Sequence, residues 1–278
     1  MSALNLRPSP IAGAWYEADP RKLSAQIDSY LNKAQLPDLQ GEVLAVIAPH
    51  AGHIYSGQVA AYAFAALRGL TPDLVAVLSP FHAFAPHPLL TTAHDAYATP
   101  LGSIEVSQTA LAELQSHVEI PIARIPNDKE HALEIELPFL QRVFPHSFQL
   151  LPLMLRAQEP RLAEQLGNAL AQTLKGKNAV LVASTDLSHF YDSKTASILD
   201  GEMLRRFEAL DPAGIFSAEQ SGAGFACGHA AVAAVLYAAK QLGANRAQIL
   251  KYATSGEVTG DTSSVVGYGA AALTRVGA

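Results

Sequence analysis

A chain of 278 residues, 49% of them hydrophobic, is long enough to bury a sizeable core. Its formal net charge of −6, with only 16% charged residues, provides no basic footprint for nucleic acid. The single cysteine, Cys227, excludes an intrachain disulfide and fits a reducing compartment.

The opening MSALNLRPSPIAGAWYEADP lacks the charged start and apolar segment of a secretory signal. No apolar run reaches the ~18 residues that would span a bilayer. A cytoplasmic protein that binds neither nucleic acid nor membrane is expected.

In chain order, residues 7–16 read as irregular, because Pro8, Pro10 and Gly13 crowd together. Pro20 to Leu31 then carries Leu23, Ile27, Tyr30 and Leu31 at helical spacing. Val43 to Ala48 is a short apolar run closed by Pro49, the pattern of a buried strand. It ends in Pro49-His50-Ala51-Gly52, with His53, Tyr55 and Ser56 just beyond. A helix over Val59–Leu67 and a strand over Leu74–Leu78 follow, and that strand runs into Ser79-Pro80-Phe81-His82. Leu89–Thr92 reads as a strand, and Ser107 as the cap of a helix to about Ser116.

Asn127 to Glu130 is expected to open a helix through Val143, with His131 and Glu134 on one face. Gln149–Leu155 reads as a strand that Pro152 would confine to a sheet edge or a bulge. Pro160–Leu174 has the spacing of an amphipathic helix. Ala179–Ser184 is a third buried strand, ending in Thr185-Asp186-Leu187-Ser188-His189. Helices over Ser193–Leu210 and Ala230–Leu242 flank a small-residue loop, Gly222–Gly228. Ile249–Ala253 and Val265–Leu273 close the chain as strands around a glycine-rich turn. No repeat or linker divides residues 1–278, so the prediction is one α/β domain with a central, mostly buried sheet flanked by helices.

Three of the apolar strands run into a histidine: His50, His82 and His189. Strand ends on one edge of an open sheet converge where α/β folds place their ligands. Neutral imidazole is a common ligand for Zn, Cu and Fe. Cys227 stands just before a predicted helix, whose dipole favours the thiolate; the plainer reading is a small buried apolar residue. Asp186 reads either as a functional carboxylate or as a turn cap, and His189 either as a pocket residue or as a loop histidine. His131 and Glu134 form either a supporting pair for the site or a helix-surface pair. There is no HExxH, phosphate loop, GxSxG or CxxC, so the commonest hydrolase, kinase and zinc-module readings lose their main support.

Taken together, the motifs resemble the Memo family, whose microbial members are called AmmeMemoRadiSam system protein B. They are PHAGHIYSG (49–57), SPFH (79–82), TPLG (99–102), EHALEIELP (130–138), STDLSHF (184–190), ACGH (226–229) and YATSGEVTGDTSSVVGYG (252–269). The resemblance implies the fold of the class III extradiol dioxygenases, which hold one non-haem Fe(II) through two histidines and a glutamate. In the Memo pattern a cysteine takes the glutamate's place. The implied metal ligands are therefore His50, His82 and Cys227, with His189 as the catalytic base and Asp186 as its orienting neighbour. The implied metal is Fe(II), and a soft thiolate ligand also admits Cu or Zn. Phe81, His53 and His229 depart from the family pattern and bear on the substrate.

Two functions follow from the resemblance. One is an O2-dependent oxidoreductase acting on a small-molecule or peptide substrate. The other is a metal-binding protein without turnover that handles iron or copper, or presents its cleft to a partner. A zinc hydrolase ranks third, since an open metal position activates water. The family name implies partnership with an AMMECR-type protein and a radical SAM protein.

Overall fold

The apolar runs pair into a central sheet in the computed structural model, which describes residues 4–126 and 128–277. In chain order the strands are β1 (Leu6–Arg7), β2 (Glu42–Ala48), β3 (Leu74–Pro80), β4 (Leu89–Thr92), β5 (Ala96–Thr99) and β6 (Gly102–Glu105). They continue with β7 (Ala123–Ile125), β8 (Gln149–Leu155), β9 (Ala179–Ser184), β10 (His189–Tyr191), β11 (Arg246–Thr254) and β12 (Val265–Arg275). The helices are α1 (Pro20–Lys33), α2 (His53–Ala65), α3 (Gln108–His117), α4 (Leu137–Val143) and α5 (Pro160–Leu174). After them come α6 (Ser193–Glu208), α7 (Pro212–Ser221), α8 (His229–Gln241) and α9 (Gly256–Thr259).

The large sheet runs β10-β12-β2-β9-β3-β8-β4-β7, with β11 on the other side of β12. Strands β2, β9, β3 and β8 are parallel, and β12 closes antiparallel on β2. Their near-continuous Val, Leu, Ile and Ala content is what a parallel sheet covered on both faces requires. Helix α8 packs on β9 and β3 with α5 over it, and α2 packs on β2, β11 and β12. The α5–α8 approach depends on Gly167, where a Cβ would lie 2.4 Å from Tyr237 Cβ and 2.7 Å from the Ala234 carbonyl. The result is a mixed, mostly buried sheet flanked by helices, the predicted α/β class. Strands β1, β5 and β6 form a separate small sheet.

Several local expectations need correction. The expected helix over Asn127–Val143 begins outside the described residues, and those from 128 to 133 are irregular. A 3-10 turn over Glu134–Glu136 leads into α4, so His131 lies on a loop. Asp128 accepts the Glu130 amide, and Glu130 accepts the amides of His131 and Ala132. These side-chain bonds take the donors that a helix would use. Pro152 lies in an interior strand, because β4 pairs with β8 only at Met154 and Leu155. The hydroxyl of Thr91 donates to its carbonyl instead. Helix α2 begins at His53, well before Val59, and the glycine-rich turn contains α9.

Candidate metal centre

Because β2, β9 and β3 are parallel, residues after β2 and after β3 emerge on the same edge, one strand apart. That brings His50 and His82 to ring centroids of 5.4 Å, nearly perpendicular. His131 arrives from the irregular segment and lies 5.5 Å from His50 and 4.7 Å from His82. One ring nitrogen from each of the three lies within 4.8 Å of the others. His50 is deepest, and His82 faces solvent with a side chain 40% exposed.

Each ring is oriented from its Nδ1 side. His50 Nδ1 lies 3.0 Å from Ser184 Oγ, whose own proton is committed to the Ala132 carbonyl at 2.7 Å or Glu136 Oε1 at 2.6 Å. His50 therefore donates from Nδ1, and its Nε2 keeps the lone pair. His82 Nδ1 donates to Glu130 Oε1 at 2.9 Å, and the same oxygen lies 3.2 Å from His131 Nδ1. Trp15 packs against the His131 ring at 4.1 Å between centroids. Carboxylate or hydroxyl partners on the Nδ1 side, with Nε2 left for coordination, are what a metal ion requires of histidine ligands; of the three Nε2 atoms, that of His50 also lies 3.1 Å from Cys227 Sγ. The donor set fits one transition-metal ion.

The charges agree with this fit. Burial holds His50 well below the usual imidazole range, and the neighbouring His131 and His82 lower it further. Burial also pulls His131 down to about 4, against the pull of Glu130. Burial alone would lower His82 too, but the Glu130 carboxylate outweighs it and leaves His82 raised. Glu136 is fully buried, and its Oε2 has no partner among the described residues. Burial raises its carboxyl well above the usual carboxylate range, and the Asp186 carboxylate adds to that against the Ser184 hydroxyl.

The expected His50/His82/Cys227 ligand set is not what the fold assembles. The third member of the mutually close group is His131. Cys227 Sγ lies outside that group, 3.1 Å from His50 Nε2, and it accepts the Asp186 amide at 3.3 Å. Burial pushes the thiol up, and the Asp186 carboxylate adds to that, against the expected dipole effect of α8. A protonated thiol at this position donates toward His50.

Asp186 caps the end of β2: its Oδ1 accepts the His50 amide at 2.8 Å. Burial raises its carboxyl to about 7 despite the His50 and Ala51 amides. His189 is oriented by the Leu187 carbonyl at 2.8 Å from its Nδ1, a role expected of Asp186. The ladder with β12 shifts register between His189 and Tyr191, and Phe190 between them takes a φ of 65°. Such bulges re-aim a side chain out of the regular strand alternation. A cleft of about 350 Å³ beside the centre is lined by Leu187, His189, Tyr191, Phe225, Cys227 and His229, among others. His53 is buried between Tyr16 and Phe139 and bonds the Ile135 carbonyl, outside the centre.

Sequence reasoning placed His131 on a helix and did not assign it to the metal. Its signal is the adjacent Glu130, an acidic residue next to a histidine between two apolar stretches.

A family described as Memo-like protein matches residues 7–272. The chain is 35% identical over 271 residues to a MEMO1 family protein of Nitrosopumilus maritimus, covering 95% of this chain and 98% of that one. It is 34% identical over 282 residues to a MEMO1 family protein of Methanopyrus kandleri, covering 97% and 99%. A third, from Methanosarcina barkeri, is 33% identical over 267 residues, with 95% and 98% covered.

Proposed function

The chain belongs to the Memo-like protein family, and from that premise we propose that it is a metal-binding protein whose His50, His82 and His131 hold one transition-metal ion. The supporting observation is the set of three imidazoles, each engaged on its Nδ1 side, with ligand atoms mutually within 4.8 Å. Fe(II) is the metal proposed, on the fold analogy with extradiol dioxygenases; Cu and Zn suit the same imidazoles. When bound, the ion supplies Lewis acidity at positions that the three rings leave open.

A second reading, turnover, rests on His189. Its Nδ1 is fixed on the Leu187 carbonyl and its Nε2 has no partner among the described residues, the arrangement of a general base for a substrate proton. Burial keeps the ring below the usual imidazole range, and so neutral and able to accept at neutral pH. Asp186 holds the His50 backbone in place. The substrate proposed is a small molecule or peptide in the cleft beside His189, and oxidation of a catechol-like ring is the form that the fold analogy suggests. The family association with AMMECR-type and radical SAM proteins names the partners to test.

The test is the metal content of protein purified without air, with a chelator competition on variants. Alanine at His50, His82 or His131 should each abolish stoichiometric binding, and His189→Ala should leave it intact. Wild-type affinity in the His131→Ala protein would refute the three-histidine centre. Oxygen uptake with catechols that disappears in His189→Ala would support turnover, and its absence in the metal-loaded wild type would leave binding alone.

A further inference from the structure

Arg7 is 1% exposed, at the first paired strand, and its partners lie more than a hundred residues away in sequence. Its guanidinium forks onto Asp128, with Nε–Oδ2 at 2.9 Å and Nη2–Oδ1 at 2.7 Å. Nη2 also donates to the Glu130 carbonyl at 2.8 Å, and Nη1 to Glu134 Oε2 at 2.5 Å. The Tyr97 ring lies 4.8 Å from the guanidinium carbon. The other Glu134 oxygen accepts the Tyr16 hydroxyl at 2.7 Å and the Ser9 hydroxyl. All of these acidic and carbonyl partners belong to residues 128–134, the segment that carries Glu130 and His131.

We propose that Arg7 is a positioning residue for the metal centre, holding the 128–134 segment so that Glu130 meets His82 and His131 faces His50. The proposal rests on the three-histidine reading. Two buried carboxylates, Asp128 and Glu134, keep this backbone path only with a cation between them. A planar fork is needed because the partners are a carboxylate taken side-on, a second carboxylate and a carbonyl in one plane of donors. Lysine has the charge but not the fork, and it cannot reach all three. Glu130 relays the position: one carboxylate bonds the His82 amide, the His82 ring and the amides of His131 and Ala132. The same amino-terminal segment reaches the centre a second time, through Trp15 on the His131 ring.

The test titrates metal-free full-length protein with Co(II), reading affinity and the visible absorption that reports coordination geometry. Wild type should bind one Co(II). Arg7→Lys should bind about 10–100-fold more weakly, the range found when partners of metal ligands are removed, with an altered visible spectrum. Tyr16→Phe, which removes the hydroxyl that bonds Glu134 and Ser9 and leaves the Arg7 contacts in place, should shift both in the same direction by a smaller factor. It serves as the second variant if Arg7→Lys does not fold. Wild-type affinity and spectrum in the folded variants, with only a lowered melting temperature, would show Arg7 to be merely structural and overturn the proposal. A wild type that binds no Co(II) would instead bring down the three-histidine reading, and this inference with it.

Discussion

The Glu130 carboxylate grips His82 twice, accepting its ring Nδ1–H at 2.9 Å and its main-chain amide at 2.6 Å. A metal on His82 must displace the proton that this pairing stabilises, because Glu130 leaves the ring raised against its burial. His50, held well below the usual imidazole range by burial, and His131, pulled down to about 4, bring no such competition near neutral pH. Metal affinity is therefore expected to fall with slope one in log K per pH unit once pH drops through the His82 value. Glu130→Gln should lower affinity by about 10–100-fold at pH 7.5 and flatten that slope. A chelator competition between pH 5 and 8 reads both. A slope of two or three would assign competing protons to two or all three of the imidazoles.

Ser184→Ala removes the partner of His50 Nδ1 and leaves unpaired whichever of the Ala132 carbonyl and Glu136 Oε1 accepts the hydroxyl proton. The expected cost is about 1–3 kcal/mol of stability, that of buried polar groups left unpaired. Metal affinity should fall as well, because the His50 tautomer is no longer specified. Urea unfolding and the same competition assay measure the two effects. An unchanged metal affinity would mean that packing alone orients His50.

Asp186 gives a signed pH dependence. Its folded carboxyl is raised to about 7 from 3.8. Between those values the folded state keeps a proton that the unfolded chain has released, so wild-type stability is drained as pH rises. Asp186→Asn keeps an oxygen for the His50 amide and carries no such proton. Metal-free Asp186→Asn should therefore gain on wild type as pH rises from 4 to 7, seen as diverging urea midpoints. Parallel midpoints across that range would show that Asp186 ionises normally in the fold.

The Cys227 thiol should be sluggish. Desolvation and the Asp186 carboxylate both oppose the thiolate. Metal-free protein at pH 8 is expected to react with iodoacetamide at least about tenfold more slowly than an unstructured cysteine. A faster rate would show that the start of α8 activates the thiol after all.

The strands that carry His50 and His82 were legible because each is a continuous apolar run broken abruptly by polar residues. That pattern survives burial on both faces of a parallel sheet. His131 was not legible as a ligand. A helix opened by Asn127 to Glu130 was expected to put His131 and Glu134 on one face, but the local carboxylates of Asp128 and Glu130 take the backbone donors first. What holds the loop open is Arg7, and no local window contains both ends of that contact. Pro152 misled for a related reason: whether a strand is interior depends on what its neighbour's ladder demands, and β4 demands little. Cys227 was placed correctly before α8, but the dipole argument omitted the desolvation that dominates its environment.

Strand β12 has a consequence for synthesis. It is synthesised after every strand it pairs with, yet it closes on β2 and holds residues 187–191 through Gly267 and its neighbours. Until residues 265–275 emerge, the apolar β2 has one finished neighbour, β9, and one open edge. His189 likewise has no strand to set its bulge. A nascent or truncated chain that ends before Val265 thus exposes a strand edge ready to pair with other chains, the usual beginning of aggregation. Emergence of residues 265–275 closes that edge and sets the bulge that carries His189 in a single step.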